Sequence, residues 1–415
     1  EDRPWEKRFD NLYANVIWDE EEQLYKCWYS PFVVAHSAKG MSLRERQKLP
    51  YEGHESQEMG VCYATSEDGL TWNKPDLGLV EFMQSSENNL IWRGPHGTGV
   101  YKDNRANKES QRYKSIFQGL KTSLSRDGLT WSKPRRLISR SKIVGDTHNN
   151  VLWAPTLGKY VGFSRTWGKT DRKLIGPETK TNNAWGRQVA RIESSDFLTW
   201  SEPEVVIDCA SWEHQPYAMP VFFHANTYIG LLAIHDQISD RVWTELAWSA
   251  DTKKWHRINE GTPLIDSCTN PLDYDFGCIY ACANPIFLKE EIRIYFGGSD
   301  WLHTGWRNGC LALATLRPDG FAGYEQNNMN ELGRIRTNAL DYKGQAVKVS
   351  ADISKNGWIK ASLIDNTHSV ISSVQISKTS TDTNLFDRQV IDEDTVRIEF
   401  EFNAAKLYSF AFSSE

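Results

Sequence analysis

The chain lacks any run of 18 apolar residues, so it has no segment able to cross a membrane as a helix. It also lacks an excess of positive charge. Its 48 Lys and Arg stand against 54 Asp and Glu, a net charge of −6, which argues against a nucleic-acid-binding surface. Cysteine is sparse: seven residues are scattered, and Cys278-Ile-Tyr-Ala-Cys282 has neither the two-residue spacing nor the second pair of a zinc site. The thiols therefore read as small core hydrophobes, and neither metal nor cofactor is expected. No secretory signal opens the sequence, as would also be true of a mature chain. With 40% apolar and 25% charged residues, the composition is that of ordinary folded protein and gives no sign of disorder. One basic run, Lys133-Pro-Arg-Arg136 through Arg140-Ser-Lys142, reads as a solvated linker, with a contact for an anionic substrate as the alternative.

What the chain does have is a phrase, Ser-x-Asp-x-x-x-Trp, four times over. It runs Ser66 to Trp72, Ser125 to Trp131, Ser194 to Trp200 and Ser249 to Trp255, at intervals of 59, 69 and 55 residues. An Asp-Gly or Asp-x turn reverses the chain while Asp bonds its own backbone, and the Trp is expected to start the next strand. Two strand-length apolar runs precede the phrase, as in Asn15-Val-Ile-Trp18 followed by Leu24 to Tyr29. The third copy matches this closely: Asn150-Val-Leu-Trp153 is followed by Tyr160 as Trp18 is followed by Tyr25. Four-stranded units repeated at such intervals predict propeller blades, five in number, over roughly 10–80, 88–140, 145–208, 211–265 and 273–326. The fifth closes on Thr315-Leu-Arg-Pro-Asp319-Gly-Phe321, a degenerate copy. After about Leu332 tryptophan nearly vanishes and period-two strands appear, such as Ala346 to Ile353 and Thr395 to Phe402. The expected fold is all-β: a propeller over 1–328 and an antiparallel sandwich over 329–415.

In a propeller the entries to the innermost strands converge on one mouth. Four of the five entries carry acids: Asp10-Asn11, Asp146-Thr-His148-Asn-Asn150, Glu213-His214-Gln215 and Asp273-Tyr-Asp275. Blade two has His96-Gly-Thr98 instead. Loops between second and third strands are expected to add His36, Arg165, His235-Asp236, Asp300 and His303 to the same rim. Carboxylates around a pocket suit glycoside hydrolysis, one protonating the leaving oxygen and another attacking the anomeric carbon or activating water. Each acid taken singly also suits an Asx turn or a cap, and His148 alone suits a structural role. Trp167, Trp185, Trp301 and Trp306, outside the strand pattern, are candidate platforms for a sugar ring.

Together, the five units, the acids on inner strands and the appended sandwich resemble the five-bladed propeller glycosidases around glycoside hydrolase families 32, 43, 68 and 117. The C-terminal part is most similar to family 32. The resemblance implies a first-blade acid as base or nucleophile, matched by Asp10. It also implies a second acid that orients substrate or modulates pKa, matched by Asp146, and a proton donor, matched by Glu213. His148, Arg165, His214, Gln215, Asp275, Asp300 and His303 are then the substrate-binding candidates. Asn-Asp-Pro-Asn-Gly, Arg-Asp-Pro and Glu-Cys-Pro are absent, which marks a divergent branch. The implied activity is exo-hydrolysis of a plant or algal oligo- or polysaccharide by a secreted or periplasmic enzyme; Arg165 and the basic run hint at an anionic sugar. A noncatalytic carbohydrate-binding propeller and a polysaccharide lyase using His148, His214 and Arg165 stay open. So does a sialidase-like enzyme, because the phrase resembles the sialidase Asp-box with its spacing one residue shorter.

Overall fold

The computed structural model describes residues 1–9, 11–51, 57–138, 143, 145–169, 185–209, 211–387 and 394–413. The chain is nearly all β. Among the described residues the one α-helix is Leu43–Lys48, started by a capping box in which Ser42 and Glu45 bond each other's backbone N–H. Two compact units are present: Glu1–Ile286 with Arg293–Ala314, and Phe287–Ile292 with Thr315–Glu415.

The first unit is a series of antiparallel meanders. Asn15–Asp19, Leu24–Tyr29 and Glu58–Ser66 pair in order, with Leu90–Arg93 on the far edge. Gly99–Lys102, Tyr113–Phe117, Lys121–Ser125 and Arg135–Arg136 form the second group, and Asn150–Ala154, Lys159–Lys169, Trp185–Ser194 and Glu204–Ile207 the third. The fourth runs His214–Ala218, Thr227–Asp236, Arg241–Ser249 and His256–Arg257. The fifth contains Cys278–Ala281, Ile292–Ser299 and Gly309–Leu316.

Successive groups are tied by a few buried hydrogen bonds. The Asn15 side chain donates to Thr98 O at 2.8 Å and accepts from Val100 N at 2.9 Å. Asn149 N donates to Gly97 O at 3.0 Å, and Asn150 Oδ1 accepts from Val221 N at 3.0 Å. Val242 pairs in parallel with Cys278. Ala283 N then donates to Ala14 O at 3.2 Å, so the contacts lead from the fifth group back to the first. The repeated Asn of Asn-Val-x-Trp is thus a staple, its amide standing in for a neighbouring strand's backbone.

Each copy of the phrase folds alike. Asp Oδ1 accepts from the N–H groups two and three residues on, at 2.7 Å for Leu70 and Thr71, and 2.8 Å for Leu129 and Thr130. The third and fourth copies repeat this at 2.7–2.9 Å. The Trp does not begin a strand: Trp131 and Trp200 stand four residues before Arg135–Arg136 and Glu204–Ile207, with the indole folded back onto the turn. Trp131, Trp200 and Trp255 each donate to the carbonyl three residues earlier. The phrase's fourth position, directly after the Asp, is left-handed throughout: Gly69, Gly128, Phe197 and Thr252 have φ of 73°, 77°, 62° and 66°. Glycine suits the first two. At Gly128 a Cβ would also meet Trp28 Cζ2 at 2.7 Å, and the Gly128 carbonyl accepts from Trp28 Nε1 at 2.7 Å. Thr252 bears the strain of a β-branched residue there, while its Oγ1 accepts from the buried Arg191 Nε at 2.7 Å.

In the second unit two 19-residue strands, Ala346–Ile364 and Thr395–Ser413, pair along their length. Irregularities at Ser350/Ala351 and Ile353/Trp358 let them bend. Alternate side chains, Val347, Val349, Ile359, Phe400 and Phe402 among them, form one apolar core.

The phrase is therefore a cross-link between turn and strand. Asp127→Ala removes the acceptor of two backbone N–H groups and of the Ser125 hydroxyl. The expected loss is about 1–3 kcal/mol, as charged hydrogen bonds are worth. Urea denaturation checks it, and an unchanged midpoint would mean the turn holds nothing together.

Candidate active site

Strand alternation puts Arg165 and Trp167 on one face of Lys159–Lys169, and Arg187 pairs opposite Trp167. Both guanidiniums lie over the same two rings: Arg165 is 5.3 Å from the Trp167 centroid and 4.9 Å from that of Tyr217, and Arg187 is 5.0 and 4.9 Å away. Arg165 is 4% exposed and pairs through Nη2 with Asp146 Oδ2 at 3.1 Å. The other Asp146 oxygen meets His96 Nε2 at 2.6 Å. Arg187 donates to Gln215 Oε1 at 2.8 Å and approaches His235 Nδ1 at 3.4 Å.

Burial opposes ionisation of Asp146, but His96, Arg165 and Arg187 outweigh it and hold the carboxyl at about 2. With its side chain 47% exposed, this carboxylate, charged near neutral pH, is within reach of solvent. Burial pulls the Arg187 pKa down, Tyr217 counteracts this, and Arg165 adds repulsion.

Asp146, His96, Tyr217 and His303 line a cleft of about 470 Å³, with Arg8, Phe32 and Tyr51 among its other walls. Arg8 donates to the Tyr51 hydroxyl and lies 4.9 Å from that ring and 5.4 Å from Phe32. Glu58, also lining the cleft, is engaged by Arg93 Nε at 2.7 Å. Behind the cleft, His303 Nδ1 meets Tyr280 OH at 3.2 Å, its ring lies 4.4 Å from that of His235, and His235 Nε2 meets Asp240 Oδ1 at 3.0 Å. Among the described residues no group of three or more His, Cys, Asp or Glu side chains is arranged to hold a metal ion.

Of the residues expected from the sequence, Asp146, Arg165, Gln215 and His303 come together around Tyr217. Asp10 lies outside the described residues; its neighbour Asn11 donates to Tyr217 OH at 3.3 Å. His148 is 2% exposed, its Nε2 on Asn15 Oδ1 at 3.2 Å, so it serves the staple between the first two groups. Glu213 is half-buried and is not among the described residues lining the cleft; its carbonyl accepts from Gln237 N at 2.7 Å. His214 faces away from Gln215, exposed, its ring 5.4 Å from Trp243. Asp275 stands in a loop whose backbone accepts from Cys268 N at 3.2 Å. Asp300 receives both Arg46 terminal nitrogens, at 2.7 and 3.0 Å, and Asn308 besides, which commits it to an ion pair. Of the tryptophans, Trp167 is 42% exposed, whereas Trp301 is buried against Phe276 and Trp306 donates to Pro50 O. The Trp185 side chain lies outside what is described. Sequence reasoning overlooked Arg187 and Tyr217 and set His96 aside. The signal for Arg187 was its place on the hairpin partner of the Arg165-Thr-Trp167 strand.

No family model matches the chain, and no curated protein matches it. Among solved structures it is similar to a fructofuranosidase from Schwanniomyces occidentalis complexed with fructosylnystose, at 10% identity and a TM-score of 0.43 over 98% of this chain and 97% of that one. It is similar to a thermostable family-43 glycoside hydrolase at 12% identity and a TM-score of 0.45, covering 77% and 91% of the two chains. For the catalytic domain of a Coprinopsis cinerea family-62 α-L-arabinofuranosidase the figures are 13%, 0.47, 74% and 91%.

Three imidazoles in and behind this site are held neutral, chiefly by burial: His148 at about 3, and His235 and His303 below the usual range. Unfolding exposes them to protonation at their ordinary value near 6.5. The unfolded state thus binds more protons than the folded state below about pH 6.5, and stability falls as pH drops from there towards 3. His148 alone should contribute a slope of about 1.4 kcal/mol per pH unit. Denaturant titrations from pH 7 to 4 on the parent and on His148→Gln should show that slope reduced in the variant, whatever its absolute stability.

Proposed function

We propose that the chain is a glycoside hydrolase whose first unit is a five-bladed propeller, its second unit a sandwich, and whose chemistry takes place at the cleft around Asp146. The observation that carries this is a half-exposed carboxylate, held by His96 and Arg165 and set between aromatic walls in a polar cleft. The circuit of contacts from the first strand group through the fifth and back supports the propeller. A cleft of about 470 Å³ falls within the roughly 300–1,000 Å³ of small-molecule sites, and exo-action on a chain end is part of this reading.

In this reading Asp146 is the acid that orients substrate and stabilises positive charge at the anomeric carbon. A group ionised so firmly makes a poor proton donor. Asp10 is assigned as base or nucleophile, supported by the reach of its neighbour Asn11 to Tyr217. Glu213 is assigned as donor, supported by its place at the entry to the His214–Ala218 strand, two residues before Gln215, which holds Arg187. The substrate is an oligo- or polysaccharide, and secretion or a periplasmic site fits such work.

One feature favours a second reading, a polysaccharide lyase. Tyr217, which lines the cleft, has two guanidiniums over its ring, and proton abstraction next to a uronate calls for a base beside groups that neutralise the carboxylate. The product separates the two, since elimination leaves an unsaturated sugar that absorbs in the near ultraviolet and hydrolysis does not.

Parent protein and Asp146→Asn incubated with plant and algal oligosaccharides, with products read by mass, should show sugar released by the parent. The variant should be slower by about 10²–10⁴-fold. Undiminished release by Asp146→Asn would sink the assignment, and binding without release from any glycan would favour a noncatalytic carbohydrate-binding propeller.

A further inference from the structure

Among the described residues the charges behind the cleft do not balance. Arg165 and Arg187 share two aromatic rings, and the described carboxylate that pairs there is Asp146, which His96 also engages. Among the described residues the hydrogen-bond partners of Arg187 are neutral: the Gln215 amide and the imidazole of His235, which burial keeps unprotonated. Its Nε is buried without a partner, as are Nε and Nη1 of Arg165. Its Nη2 has no hydrogen-bond partner among the described residues, the residue is only partly buried, and its guanidinium lies over Tyr217, which lines the cleft. A guanidinium taken out of water with its donors unmet is costly, and a carboxylate or sulfate accepting from its planar fork offsets that cost. The exposed part of Trp167 beside it offers a surface for a sugar ring.

We infer that Arg187, backed by Arg165, is the seat for an oxyanion carried on the sugar, so that the site selects acidic glycans over neutral ones. The inference rests on the reading of this cleft as a sugar site and names its substrate class. A uronate carboxylate and a sulfate ester present the same chemistry, and the probes tell them apart.

The test is calorimetric titration with four ligands: an oligogalacturonate, its methyl ester, a sulfated galactan oligosaccharide and its desulfated form. The parent should bind at least one acidic probe about 10- to 100-fold more tightly than its neutral counterpart, and the pair that shows the gap identifies the anion. Arg187→Gln should close the gap between the acidic probe and its neutral counterpart. Arg187→Lys, which keeps charge but loses the fork, should retain part of the preference and serves if the Gln variant does not fold. Equal binding of acidic and neutral forms, no binding of either acidic probe, or a preference intact in a folded Arg187 variant would overturn the inference. Acid preference without released sugar would count against the hydrolase and leave the anion seat standing; hydrolysis of neutral glycans with no acid preference would do the reverse.

Discussion

The amide of Asn15 sits where one strand group meets the next, and the first unit depends on contacts of this kind. A meander satisfies its own backbone internally, but the edge of its first strand faces the neighbouring group and cannot be left unpaired when buried. Asn15, 1% exposed, donates to one backbone group and accepts from another two residues on, and Asn150 repeats the acceptor half. Because these bonds are short and buried, they fix where the segments just before each first strand emerge. Those segments carry Asn11, Asp146 and Glu213, and Thr147 is pinned in turn, its hydroxyl on Tyr217 O at 2.8 Å. The position of the cleft is thus a consequence of stapling between groups.

Buried charge is tolerated at this cleft because π-faces do part of the work of water. Tyr217 and Trp167 give both arginines a polarisable surface, and Gln215 supplies an acceptor without charge. The same arrangement decides the state of the nearby acids and bases: the cations hold Asp146 ionised, while burial and those cations hold His303 and His235 neutral. Opposite shifts within one small site keep anion and neutral imidazoles side by side over a wide pH range.

The repeats were legible in the sequence because their signal is local. An Asp that bonds N–H groups two and three residues on leaves its mark at fixed spacing, and so does an Asn at a strand entry. The site was legible only in part, because its members arrive from distant segments. Asp146 and Arg165 could be proposed from strand entries and loops, but nothing near Asp300 announces Arg46, which reaches it from 254 residues away in sequence. Likewise, Gln215 and His214 are neighbours in the chain, and strand alternation sends the first to Arg187 and the second to solvent. Arg187 and Trp167 face each other across a hairpin whose register no spacing rule could supply. Phe197 and Thr252 hide a further regularity: they occupy the left-handed position that Gly69 and Gly128 take in the earlier copies, so packing and one hydrogen bond to Arg191 override the residue preference.

The arginine pair also constrains the division of labour among the acids. An oxyanion seated on Arg187 would place a second negative charge near Asp146 and offset part of the cationic field that keeps it ionised, so its pKa would rise on binding. From a starting value of about 2, a rise of a unit or two still leaves the carboxylate charged near neutrality. On the hydrolase reading Asp146 would therefore remain an anion with either kind of sugar bound. The proton that the leaving oxygen needs would then come from another group in a contrasting environment, the role proposed for Glu213 on a strand entry beside Tyr217.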